Sequence, residues 1–321
     1  MKIGLFTDSL QDLSFTSALD WIAAQGIEAV EIGTGNFSPA PHCDVDKLLN
    51  DETARADFKA AIESRDLTLS ALNCNGNLLD PHPARRAKSQ DTFFKTVEAA
   101  NQLGLDTVVT MSGCPGDPTG GTYPNWVTCT WQREFVELGE RQWAEQVEPF
   151  WKKAGKFAAD HGVKVAIEMH PGQSVYNTRS LLHLREIVGP HLGANLDPSH
   201  LFWQGMDPLV VVRALGHSGA FHVHAKDTMI DPQEMALNGG LDTRPPVGSM
   251  VGQRSWAFRT VGFGHAEAWW RDFVSTLRLM GYDGALSIEH EDRLMSSREG
   301  IAKSVQFLKP IVPKTAGEAW S

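Results

Sequence analysis

The sequence lacks the features that would place it at a membrane, on a nucleic acid or in an oxidising compartment. No apolar run approaches the roughly 20 residues that cross a bilayer, and the first residues, Met1-Lys2-Ile3-Gly4-Leu5-Phe6-Thr7-Asp8, read as a short strand, not a signal peptide. No Lys/Arg-rich run occurs, and 29 basic against 39 acidic residues leave a formal net charge of -10, the wrong sign for tracking a phosphate backbone. The four cysteines, Cys43, Cys74, Cys114 and Cys129, show no CxxC spacing and are expected to be free thiols. These absences favour a cytoplasmic protein acting on a small molecule, with neither nucleic acid nor membrane as partner.

What the 321 residues do contain is a rhythm. Eight short aliphatic or β-branched runs, at 2–7, 29–33, 67–73, 107–111, 164–169, 193–196, 221–225 and 285–289, close on polar or glycine-containing residues. Segments with apolar spacing of three and four separate them, among them 17–25, 53–64, 87–103, 142–161, 180–188 and 269–280. Strands alternating with helices require right-handed crossovers and a parallel sheet. Eight such units close into a single α/β barrel of the (β/α)₈ TIM type. An open doubly wound sheet is the competing architecture, but after Phe6 the chain reads Thr7-Asp8-Ser9-Leu10, without the glycine turn that cradles phosphate. The reading is one barrel domain over 1–312 and a C-terminal tail over 313–321.

Two connections are long, 112 to about 133 and 227 to about 265. Both follow strands, the fourth and the seventh, so in a barrel these βα4 and βα7 loops lie over the C-terminal face, where active sites form. Loops of such length are expected to be lids or binding loops.

Ionisable residues collect at the ends of the last four strands. They read Ile167-Glu168-Met169-His170, Asn195-Leu196-Asp197-Pro198-Ser199-His200, His222-Val223-His224-Ala225-Lys226-Asp227 and Ile288-Glu289-His290-Glu291-Asp292. A carboxylate directly after a hydrophobic strand has lost much of its water, which costs several kcal/mol without a partner. Four such ends around one axis call for a cation. One imidazole and three carboxylates, from Glu168, Asp197, His224 and Glu289, suit Mn²⁺, Mg²⁺ or Co²⁺, with Mn²⁺ the first expectation; Zn²⁺ would bind without thiolates.

These segments resemble the sugar phosphate isomerase/epimerase superfamily, the xylose-isomerase-like barrels that include ketose 3-epimerases, inosose-processing enzymes and the endonuclease IV branch. Four motifs in order, each at a strand end, carry the resemblance, which extends over about residues 1–310. It implies Glu168, Asp197, His224 and Glu289 as ligands of one divalent metal, His200 as a substrate contact, and Glu168 and Glu289 as acid/base groups as well as ligands. The expected activity is sugar isomerase or epimerase, by enolisation of a keto sugar or related polyol. The alternative is a lyase or deglycosidase that cleaves a 3-keto-glycoside by β-elimination, the C-glycoside-cleaving relatives being catalytic subunits of hetero-complexes. A homo-oligomer is expected in the first case, a small second subunit in the other. The endonuclease branch would need a basic groove that this acidic chain lacks, and a non-catalytic sugar-binding barrel should have lost a ligand.

Further candidates come from position alone. His170 precedes Pro171-Gly172 in a loop that could line the site, and Lys226 is either a substrate-facing cation or the partner of Asp227. Asn73, in Asn73-Cys74-Asn75-Gly76-Asn77, could bind sugar hydroxyls, and Trp203 is the tryptophan best placed to stack on a sugar face.

Overall fold

A computed structural model describes residues 1–217, 219–244 and 248–315. Eight parallel strands form a closed barrel: β1 (Lys2–Phe6), β2 (Ala29–Gly33), β3 (Thr68–Asn73), β4 (Thr107–Met111), β5 (Lys164–Glu168), β6 (Leu192–Leu196), β7 (Ala220–Ala225) and, last in the chain, β10 (Ala285–Ile288). Around the barrel the order is β1-β10-β7-β6-β5-β4-β3-β2, so chain neighbours pair and β10 closes on β1. All eight expected strands are present. Parallel strands covered by helices are buried on both faces, and β2, β4 and β6 are buried at every position.

The larger apolar core lies between the sheet and the outer helices, where Trp151, Trp270, Phe93 and Phe273 are fully buried. A smaller layer, Ala71, Val109 and Ala166 packed with Phe221, fills the barrel interior. Gly193 makes room for it: a Cβ there would lie 2.8 Å from the Phe221 ring and 2.7 Å from the Gly219 carbonyl oxygen. Above this layer the interior turns polar. Strand register sets Glu168 beside Asn195, Asn195 beside His222, and Ser287 beside His224.

The 112–132 connection carries no strand or helix, as expected of the βα4 loop. It is pinned from within: the buried Gln142 amide donates to the carbonyls of Pro115, Gly116 and Asn125 at 2.9–3.2 Å. The helix expected over 142–161 begins earlier, at Arg133, and runs through a π-helical turn at Trp143–Val147 into Glu148–Asp160.

The 227–265 connection differs from a simple loop. Its ends pair as an antiparallel ribbon of β8 (Asp227–Ile230) and β9 (Trp256–Arg259), with a short helix at Pro232–Asn238 between them. The sequence conceals the ribbon because its strands are four residues each and separated by 25, with no tight-turn signal joining them. Pro245 and Pro246 of this connection, and the tail from 316 onward, lie outside the described residues. At the opposite end of the barrel, the Pro313 carbonyl accepts a 3.1 Å hydrogen bond from the N-terminal ammonium.

Asp227 fixes the ribbon to the barrel. Its Oδ2 accepts from the backbone N–H groups of Gly262, Gly264 and His265 at 2.9–3.0 Å, and its Oδ1 from Thr228 N at 2.8 Å and His265 Nδ1 at 2.7 Å. Hydrogen bonds to a charged acceptor contribute about 1.5–3 kcal/mol each. Asp227→Ala is therefore expected to speed amide exchange at 262, 264 and 265 by about 100-fold or more, leaving the amides of β1 to β7 unchanged. Unaltered exchange at 262–265 by mass spectrometry would contradict this anchoring role.

Candidate active site

The donors expected from the sequence meet at the C-terminal mouth of the barrel. Glu168, Asp197, His224 and Glu289 each place one ligand atom within 4.8 Å of the other three. Glu168 ends β5, Asp197 follows β6, His224 lies in β7 and Glu289 follows β10, so four strands converge on one point. All are buried except Glu289, whose side chain is 14% exposed. Above them opens a cavity of about 500 Å³ lined by, among others, Asp8, Asn75, His170, Glu289 and Glu291.

Each donor is oriented by neighbours. Glu168 Oε1 faces His200 Nε2 at 3.1 Å, and its Oε2 accepts from the amides of Asn75 at 2.7 Å and Asn195 at 3.1 Å. Asp197 Oδ1 caps the following short helix through Ser199 N at 2.8 Å. Its Oδ2 is buried and makes no directed hydrogen bond, although Lys226 Nζ lies 3.0 Å away. His224 Nδ1 points into the cluster, 3.3 Å from Glu289 Oε2 and 3.6 Å from Glu168 Oε2. Burial works against charge on every one of these groups. It would depress His224, but the Glu31 and Glu289 carboxylates hold that imidazole well above its ordinary value. Burial would raise Glu289, but Lys226 and His224 hold it well below the carboxylate range.

One imidazole and three carboxylates, with a buried acceptor lacking a directed donor, fit a divalent cation. Harder oxygen ligands outnumber nitrogen, and no cysteine belongs to the group.

Lys226 is 2% exposed and bridges Asp197, Glu289 at 2.5 Å and Glu291 at 2.9 Å, not Asp227. Its ammonium also sits 4.7 Å from the centre of the Phe258 ring, which the β8–β9 ribbon lowers onto the site. His170 lines the cavity and its ring lies 4.1 Å from that of His200. His200 is itself 2% exposed and touches Glu168 and Asp197, so it supports the donors from beneath the cavity wall. Burial, then the charges of His170 and Lys226, pushes it well below its ordinary value. Asn73 spends its amide on Glu31 at 2.7 Å, while Asn75, two residues on, reaches Glu168. The Trp203 indole lies flat on Trp256, with 4.5 Å between ring centres and 4° between planes, and is not among the residues that line the cavity. That face is already taken by the ribbon.

Sequence reasoning missed two acidic residues. Glu31, in the middle of β2, is fully buried and meets His224, Asn73 and Ser287. With His222 and His224 it forms a second group of close donors directly beside the first. Its only signal is a charged residue within Ala29-Val30-Glu31-Ile32-Gly33, a strand otherwise wholly apolar. Asp8, after β1, lines the cavity, and its Oδ1 is buried without a hydrogen-bond partner among the described residues.

Burial, with the Glu31 and Glu289 charges, pushes the Asp8 carboxyl up to about 6. A raised carboxyl costs folding stability once it ionises, so the loss appears above the unfolded pKa near 4 and is complete above about 6. After allowance for solvent screening, the cost is about 1–2 kcal/mol. Chelator-treated Asp8→Asn should accordingly gain about that much over the unsubstituted protein at pH 8 and nothing at pH 4, read from urea unfolding. Equal stability at pH 8 would contradict the burial of a charged Asp8.

Comparison with known proteins agrees with the architecture. The chain is 42% identical over 315 residues to the Bacillus subtilis protein YfiH, covering 97% of this chain and 99% of that one. It is 28% identical over 163 residues to an inosose dehydratase of Clostridium botulinum, covering 49% of this chain and 51% of that enzyme. The solved structure of an IolI protein with a bound zinc atom superposes with a TM-score of 0.65 at 17% identity, covering 97% and 98% of the two chains. The model of the xylose isomerase-like TIM barrel family matches residues 19–311, and with the closed eight-stranded barrel this assigns the chain to that family.

Proposed function

We propose that the protein is a divalent-metal-dependent enzyme that enolises a keto sugar or related polyol, passing a proton between Glu168 and Glu289, with isomerisation or epimerisation as the outcome. The observation that carries this reading is the convergence of Glu168, Asp197, His224 and Glu289 beneath one cavity. Mn²⁺ suits the donor set first, with Mg²⁺ or Co²⁺ as alternatives. A cation held there would draw electron density from a substrate carbonyl and its neighbouring hydroxyl, lowering the barrier to loss of the proton between them.

The residues of the chain do the rest. Glu168 ends β5 and Glu289 follows β10, two strands that β6 and β7 separate in the barrel, so the two carboxylates approach the donor cluster from different sides. Glu168 accepts hydrogen bonds from the Asn75 and Asn195 amides and faces His200 Nε2, contacts that aim its carboxylate for taking the proton. Glu289, at the cavity wall, is the second proton carrier. Return to the same carbon gives an epimer; return to the neighbouring carbon gives an aldose–ketose isomer. Phe258 and the ribbon exclude water from the His200–Lys226 side.

A second reading is favoured by Lys226. A buried ammonium next to the proton carrier can meet an oxygen that departs from the β-carbon, so the same enolisation would end in elimination, as dehydration or cleavage of a 3-keto-glycoside. The partial match to an inosose dehydratase supports it.

Proton NMR in D₂O with ketohexoses, inososes and 3-keto-glycosides separates the two. Metal-dependent deuterium uptake beside the carbonyl with a new sugar supports isomerisation or epimerisation; loss of water or of an aglycone supports elimination. No uptake by the metal-loaded protein would contradict both. Glu168→Gln and Glu289→Gln are each expected to lower turnover by at least ~10³, since each removes a donor and a proton carrier.

A further inference from the structure

We infer that Glu31 is the positioning residue of the metal centre: its carboxylate takes the Nε2–H of His224 and so presents Nδ1 of that ring to the cation. This rests on the metal-dependent reading above. The Asn195 amide lies 3.3 Å from both ring nitrogens, but the carboxylates around the two differ. Nε2 lies 3.1 Å from both Glu31 oxygens, while Nδ1 faces Glu289, Glu168 and Asp197 at 3.3, 3.6 and 3.9 Å. A neutral imidazole carries one proton, and whichever nitrogen donates it cannot ligate. A carboxylate on Nε2 therefore selects the tautomer whose lone pair faces the cluster, and makes that nitrogen more basic.

Glu31 is itself held for this role. It is fully buried, Ser287 Oγ donates to Oε2 at 2.6 Å, and Asn73 Nδ2 donates to Oε1 at 2.7 Å. The three residues come from β2, β10 and β3, so the carboxylate cannot turn without breaking bonds to the barrel wall.

The same residues could be read as a second metal site, because Glu31, His222 and His224 also lie within ligating distance of one another and His222 Nε2 is buried without a partner. Two observations argue against it. Both Glu31 oxygens already accept from a neutral donor, Ser287 or Asn73. A second cation would also require His224 to lose both ring protons, which neutral-pH imidazole does not do without strong compensation.

The test uses the full chain, metal-depleted and then loaded with Zn²⁺ as a diamagnetic probe, with ¹⁵N-labelled histidine. The expected result is one metal per chain and a His224 signal with Nε2 protonated and Nδ1 metal-bound. Glu31→Gln, which can turn an amide N–H toward the ring and favour the wrong tautomer, should weaken Zn²⁺ binding by about 10–100-fold in chelator competition. Ser287→Ala keeps Glu31 and removes only its hydroxyl donor, so it should fold normally and weaken binding by a few-fold. Unchanged affinity and unchanged His224 shifts in both variants would overturn the positioning role while leaving the metal-dependent reading intact. Two metals per chain, one lost in Glu31→Gln, would make Glu31 a ligand and overturn it as well. An unsubstituted chain that binds no metal would sink both.

Discussion

Three carboxylates forced together at the dry end of a closed barrel are the constraint around which the upper half of this molecule is arranged. Glu168, Asp197 and Glu289 lie within ligand distance of one another, two of them with almost no exposure. Like charges at that spacing repel strongly where the local dielectric is low. The chain answers with His224 and Lys226 inside the cluster and with directed amides from Asn75 and Asn195. An arrangement so costly for stability alone is the mark of a site kept for chemistry.

The barrel supplies rigidity from below and the βα7 ribbon supplies cover from above. Below the donors, a layer of Glu31, Asn195 and His222 links strands β2, β6 and β7, with His222 Nδ1 donating to Asn195 Oδ1 at 3.1 Å. Above them, Asp227 locks the ribbon and Phe258 closes over Lys226 and His200. Adjacent residues thus serve opposite ends of one design: Lys226 faces the donors and Asp227 faces the lid.

Much of this was legible in the sequence, for definable reasons. A parallel strand covered on both faces is a mostly apolar run, so all eight strands are legible even where β2, β6 and β7 carry polar residues. The donors stand immediately beyond or at the end of such runs, where a charge has no other explanation. Glu31 escaped because it lies inside a strand, where one charged residue among four apolar ones does not reveal which way it points. The β8–β9 ribbon escaped because its pairing depends on a carboxylate, Asp227, collecting amides 35 to 38 residues away. Trp203 illustrates the limit for aromatics: a loop position does not say whose face the ring will meet, and here it is Trp256.

The central claim is that one divalent cation is held by a single imidazole and three carboxylates. Electron spin echo measurement of the Mn²⁺-loaded protein tests it most directly, because it counts nitrogens bound to the metal. The account predicts one coupled histidine nitrogen, lost in His224→Gln and retained in His222→Gln and His200→Gln. No nitrogen coupling, or coupling to two imidazoles, would contradict it.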